Sequence, residues 1–180
     1  MTREIPLDKK LYLFELDDVL FPKQDYLLQI YYLFAQFVEF TEGRAMATEL
    51  VNFMKETYLA KGEEAVYPEA AKKFSFSQDY SENMGRLMVN GHLPLKLILP
   101  NSIKLLFASI LEKGAKIAIL TKGNPAMQLN KLKHIDWQGF DKQMKVYFID
   151  ELQFRNIEPI SYIASENQLD QEELIFIESM

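Results

Sequence analysis

Three carboxylates, Glu15, Asp17 and Asp18, follow directly on the short apolar run from Leu11 to Phe14. A run of that length near the N-terminus predicts a strand buried on both faces. Its C-terminal end is where open α/β sheets place their ligands. Carboxylates gathered at one point resist full ionisation unless a cation is bound, so cation chemistry is the expectation here. A second constellation lies a hundred residues on. Thr121 ends another apolar run, and Lys122, Gly123, Asn124 and Pro125 follow. Asn-Pro is a strong helix start, a capping residue followed by proline at the first helical position. The Thr121 hydroxyl and the backbone N–H groups near Lys122 and Gly123 could hold an anion there, helped by the helix N-terminus. The plain alternatives are a turn at Asp17-Asp18 and a strand–turn–helix connection at 121–125.

The elements that must position these groups can be read along the chain. Phe21-Pro22 ends the first strand, and residues 25 to about 92 read as helical with no strand among them. Asp25 to Glu42 carries a broad apolar face and stops at Gly43. Met46 to Ala60 follows, then a short helix from Pro68 to Lys73, then a helix from Gln78 to Asn90 that Ser77 caps. From Ser102 the rhythm alternates. Helices are expected at Ser102 to Lys113, Pro125 to Lys133 and Pro159 to Glu166, and strands at Lys116 to Leu120, Lys145 to Ile149 and Leu174 to Ile177. Strands separated by helices imply right-handed crossovers and a parallel sheet.

Composition narrows the function. A net charge of −6 leaves no basic stripe for non-specific nucleic-acid binding, and nucleic acid is not expected as a partner. There is no cysteine, which excludes disulfides and thiolate metal sites. The charged stretch Met1 to Lys10 is not a secretory signal, and Tyr26 to Phe40 carries Gln29, Gln36 and Glu39, so neither is read as a membrane segment. A soluble cytoplasmic protein is expected. His92 and His134 lack the spacing of a metal pair, and Trp137 reads as a packing anchor.

The stretch Glu15-Leu16-Asp17-Asp18-Val19-Leu20 resembles the first motif of the haloacid dehalogenase-like (HAD) superfamily, an apolar strand followed by Asp-x-Asp-x-Thr or Val. Ile119-Leu120-Thr121-Lys122-Gly123-Asn124-Pro125 is similar to its second motif, strand-Thr-Asn-Gly-Asn-Pro. The resemblance spans essentially the whole chain. It implies a Rossmann-like α/β core over residues 1–20 plus 96–180, strand order 3-2-1-4, with an inserted all-helical cap over 21–95. By the same resemblance Glu15 falls at the nucleophile that forms an acyl phosphate, and Asp17 at the general acid and base. Thr121, Lys122 and Gly123 fall at the phosphate-binding loop. Mg²⁺ would be the cofactor, held by Glu15, Asp17 and Glu178, and a small phosphorylated metabolite the substrate. Asp18 is expected to cap a turn or helix.

Three positions depart from the pattern. Glutamate replaces aspartate at the nucleophile, and the extra methylene displaces the carboxylate by about one bond length, where a displacement of ~1 Å can cost roughly 100-fold in rate. The third motif's lysine falls on Asn156, beside Arg155 and ahead of Pro159, and the fourth motif's aspartate falls on Ser179. Catalytic residues that act as a unit are not additive, so three defects together imply weak or absent hydrolase activity in a protein of phosphohydrolase ancestry. The competing expectations are a working Mg²⁺-dependent phosphatase and a non-catalytic binding or regulatory module. The family pattern continues past the fourth strand with a further helix and strand, so the edge of strand 174–177 is expected to pair in a homodimer, the plain alternative being cover by Met1 to Lys10 or a neighbouring helix.

Overall fold

The computed structural model describes residues 5–179, apart from the side chain of Gln143. They divide into two compact units. One comprises the residues before Gln24 together with those from Lys96 onward, and the other is Gln24–Leu95.

The first unit is built on a four-stranded parallel sheet. Strand β1 (Leu11–Phe14) lies between β3 (Lys116–Thr121) and β6 (Leu174–Ile177), and β5 (Lys145–Phe148) pairs with the outer side of β3. The order along the sheet, β5-β3-β1-β6, is the expected 3-2-1-4. Burial follows that order. All four residues of β1 are buried, as are the last five of β3, whereas each edge strand buries only part of its length. On one face Leu11 and Leu13 pack with Ala118, Leu120 and Leu174 against Leu152 of α7 (Ile149–Phe154) and Ile163 and Ala164 of α8 (Pro159–Glu166). On the other, Phe107 of α5 (Asn101–Glu112) meets Phe14 edge to face, with ring centroids 5.0 Å apart. Removing one such side chain from water is worth about 1.5–3 kcal/mol, so the sheet's centre is where this unit is most strongly held. A second, two-stranded parallel pair, β2 (Leu97–Ile98) with β4 (Ile135–Asp136), was not legible beforehand; two-residue strands carry no periodicity.

The second unit is helical: α1 (Lys23–Glu42), α2 (Ala47–Lys61), α3 (Glu63–Phe74), a 3₁₀ turn at Gln78–Tyr80, and α4 (Ser81–Asn90). No strand occurs within it among the described residues. An aromatic cluster holds it, in which Phe34 touches Phe37, Tyr67 and Phe76, and Tyr80 touches Phe37 and Phe76.

Two expected boundaries move. Pro68 does not open α3 but sits in its second turn, where its nitrogen has no hydrogen for the Glu64 carbonyl. The helix starts earlier, with Glu63 and Glu64 placed favourably in its first turn. Ile149 ends no strand and instead begins α7, a six-residue helix without a side-chain cap. No described helix is long and apolar enough to cross a membrane.

Candidate functional site

The C-terminal ends of β1 and β3 bring the two constellations together. The Glu15 N–H still donates to the Ile177 carbonyl at 3.1 Å, so the sheet fixes the backbone up to the first carboxylate. The chain then turns sharply. Asp18 takes a left-handed φ of 60°, its N–H donates to the Phe21 carbonyl at 2.9 Å, and Leu20 N–H donates to the Leu16 carbonyl at 3.0 Å. Asp18 Oδ1 accepts from the Lys23 N–H at 2.9 Å, capping the start of α1 as expected of it.

Glu15 points into the second constellation. Its Oε1 accepts from the Thr121 hydroxyl and from its neighbour Leu16 N–H at 2.7 Å. Its Oε2 accepts from the Lys122 N–H at 2.9 Å. Thr121, the last residue of β3, is fully buried. Its oxygen accepts from Gln128 Nε2 at 2.6 Å, and the same amide donates to the Lys122 carbonyl at 2.9 Å. Gln128 thereby leaves the Thr121 proton directed at Glu15. Gly123, at φ 106°, gives its N–H to Asp150 Oδ1 at 3.1 Å. Asn124 caps α6 (Pro125–His134), accepting from the N–H groups of Ala126 and Met127 at 2.9 and 3.3 Å.

Asp17 is engaged separately. Both its oxygens accept from Lys131 Nζ, at 2.8 and 2.6 Å, and the Lys131 side chain is wholly buried. This lysine was missed in the sequence, where the corresponding charge was sought ahead of α8. Asn156 and Arg155, at and beside that position, are exposed at the end of α7, and Asn156 takes the left-handed φ of 56° that asparagine tolerates. Gln128 and Lys131 lie three residues apart on α6, hence on one face. Asp150 was also missed, because it sits in the helix that read as the end of a strand.

The carboxylates Glu15, Asp17 and Glu178 do not assemble into a metal-holding set. Glu178 is exposed beyond β6, and no group of three or more acidic or histidine side chains placed to hold a metal occurs among the described residues. A hard divalent cation needs several free oxygens facing one point. Here both Asp17 oxygens are taken by an ammonium and both Glu15 oxygens by N–H and O–H donors, so the donor set does not fit Mg²⁺. His134 is a buried helix-end residue whose Nδ1 meets the Asn130 carbonyl at 2.8 Å, and Trp137 anchors its loop by donating to the Leu132 carbonyl at 3.1 Å.

No protein-family model and no curated protein matches the sequence. Solved structures match the fold. YfnB of Bacillus subtilis, assigned to the HAD hydrolases and solved with magnesium bound, aligns over 93% of this chain and 77% of its own, at 14% identity and a TM-score of 0.53. The chain has the haloacid dehalogenase-like fold. A haloacid dehalogenase-like hydrolase of Xanthomonas campestris aligns over 94% of this chain and 72% of its own, at 17% identity and a TM-score of 0.51. A HAD family hydrolase of Deinococcus radiodurans, solved with phosphate and sodium bound, covers 95% of this chain and 72% of its own, at 15% identity and a TM-score of 0.50. Within the HAD-like fold many chemistries are hosted, so function here has to be argued from the side chains.

Proposed function

We propose that this chain is a HAD-fold protein of phosphohydrolase ancestry whose hydrolase activity is weak or lost. One observation carries the reading. The three donors expected to hold a phosphoryl group, the Thr121 hydroxyl and the N–H groups of Lys122 and Gly123, already donate to carboxylates of the chain itself, Glu15 and Asp150. A phosphate ester arriving there meets two like charges, with all three of these donors engaged. The carboxylate that would attack is itself held by three hydrogen bonds. Attack needs the reacting atoms about 3–3.5 Å apart with aligned orbitals, and a nucleophile tied to the substrate's own binding groups cannot meet that condition. The extra methylene of Glu15 relative to aspartate gives the carboxylate the reach to occupy those groups.

The test is a phosphatase assay on generic phosphate monoesters at neutral pH, with and without Mg²⁺, for the wild type, Glu15→Asp and Glu15→Gln. Negligible turnover by the wild type is expected. A wild-type rate of ~1 per second or more that vanishes in Glu15→Gln would overturn the reading in favour of a working phosphatase.

A further inference from the structure

Helix α6 is amphipathic in an inverted sense. Leu129 is 44% exposed, whereas Gln128, Asn130, Lys131 and His134 are all buried. A lysine with a wholly buried side chain is retained only where a partner stabilises its charge, and Asp17 is placed to do so through both oxygens. We propose that Lys131 is the resident counter-cation of Asp17, standing where a divalent cation would otherwise be drawn, and that this pairing excludes Mg²⁺ from the site. The inference rests on reading residues 15–17 as an ancestral active site, but not on whether turnover survives.

The argument is one of charge and donor count. Asp17 is acceptor-only when ionised, and Lys131 donates to each of its oxygens. A dication approaching Asp17 would have to displace the ammonium or sit beside it. Displacement takes a buried ammonium away from its carboxylate, and juxtaposition sets like charges together at short range, where the surroundings screen poorly. The other acidic group, Glu15, faces Thr121 and Lys122 and lends the cation no free oxygen. The helix that supplies Lys131 also supplies Gln128, which keeps the Thr121 hydroxyl directed at Glu15. One face of α6 therefore closes both halves of the site.

Isothermal titration of the metal-free protein with MgCl₂, with no substrate present, tests this. The wild type is expected to give no binding heat, and Lys131→Met, with both Asp17 oxygens released and water completing the shell, to give a measurable one. That binding should disappear in Lys131→Met/Asp17→Asn. Lys131→Arg, which keeps the positive charge, should stay silent. Should Lys131→Met not fold, Lys131→Gln takes its place, offering Asp17 a donor without a charge. Wild-type Mg²⁺ binding that is lost in Asp17→Asn would overturn the proposal, as would a folded, uncharged variant at position 131 that still binds no Mg²⁺. These outcomes stand apart from the hydrolase reading: phosphatase turnover in EDTA would refute that reading and leave Lys131 in its assigned place.

Discussion

At the scale of single residues, the site is a set of closed pairs, and each makes its own prediction. Removing the Glu15 side chain as Glu15→Ala frees the Thr121 hydroxyl and the Lys122 N–H, the donors it now occupies. The variant is expected to gain affinity for inorganic phosphate, seen by calorimetry, and to be stabilised by about 1.4 kcal/mol at a phosphate concentration ten times the Kd. The wild type should show neither effect; equal phosphate binding by both would mean that Glu15 does not fill the site. Asp17→Ala leaves the Lys131 ammonium buried without its carboxylate. Urea denaturation is expected to show a loss of about 3 kcal/mol, and much of it should return in Asp17→Ala/Lys131→Met, where neither charge remains. Full additivity of the two changes would mean that the pair is not coupled.

At the scale of elements, caps carry much of the local order, and some were legible. Asn124-Pro125 and Pro159 mark the starts of α6 and α8, because a capping oxygen and a fixed φ act within three residues of sequence. Lys131 was not legible. Helical periodicity counts apolar positions and assigns a lysine to the solvent face, and only the partner Asp17, far off in sequence, makes its burial tolerable. Asp150 escaped for a related reason, since Ile149 prolongs the apolar run of β5 past its real end at Phe148. The start of α2 was placed, but its cap was not, because the cap comes from another helix. Glu39 of α1 accepts from the N–H groups of Met46 and Ala47, each at 2.7 Å. The Ala47 N–H first, then that of Met46, holds the Glu39 carboxyl below its ordinary value of 4.5. A depressed folded-state value means the stabilisation is fully present above pH 4.5 and is lost as pH falls through the lower, folded value. Thermal melts across that window should therefore show a steeper acid loss for the wild type than for Glu39→Gln. Parallel curves for the two would remove the cap.

At the scale of the whole molecule, the chain interrupts its sheet unit between β1 and β3 to build a separate helical unit, Gln24–Leu95. That unit has its own aromatic cluster, with Phe53 and Phe74 in contact as well as the rings around Phe34. A segment with its own apolar core can fold alone. A fragment spanning 24–95 is expected to show helical circular dichroism and a cooperative thermal transition; a coil spectrum would show that its order depends on the rest of the chain. The parallel sheet and the helical character of residues 25–92 were readable at this scale because burial and crossover handedness act on whole segments, whereas the strand order followed only from the family resemblance.

Glu15 is also a ligand on a tether. Its carboxylate reaches Thr121 and Lys122 through a side chain of fixed origin, so its occupancy of those donors is an intramolecular equilibrium. Short flexible links generate local concentrations on the order of millimolar or more. A free phosphate must outcompete that standing concentration before it is bound at all. The occupancy does not fall on dilution and cannot be dialysed away. Phosphate well below that standing concentration is expected to leave the Glu15 contacts in place.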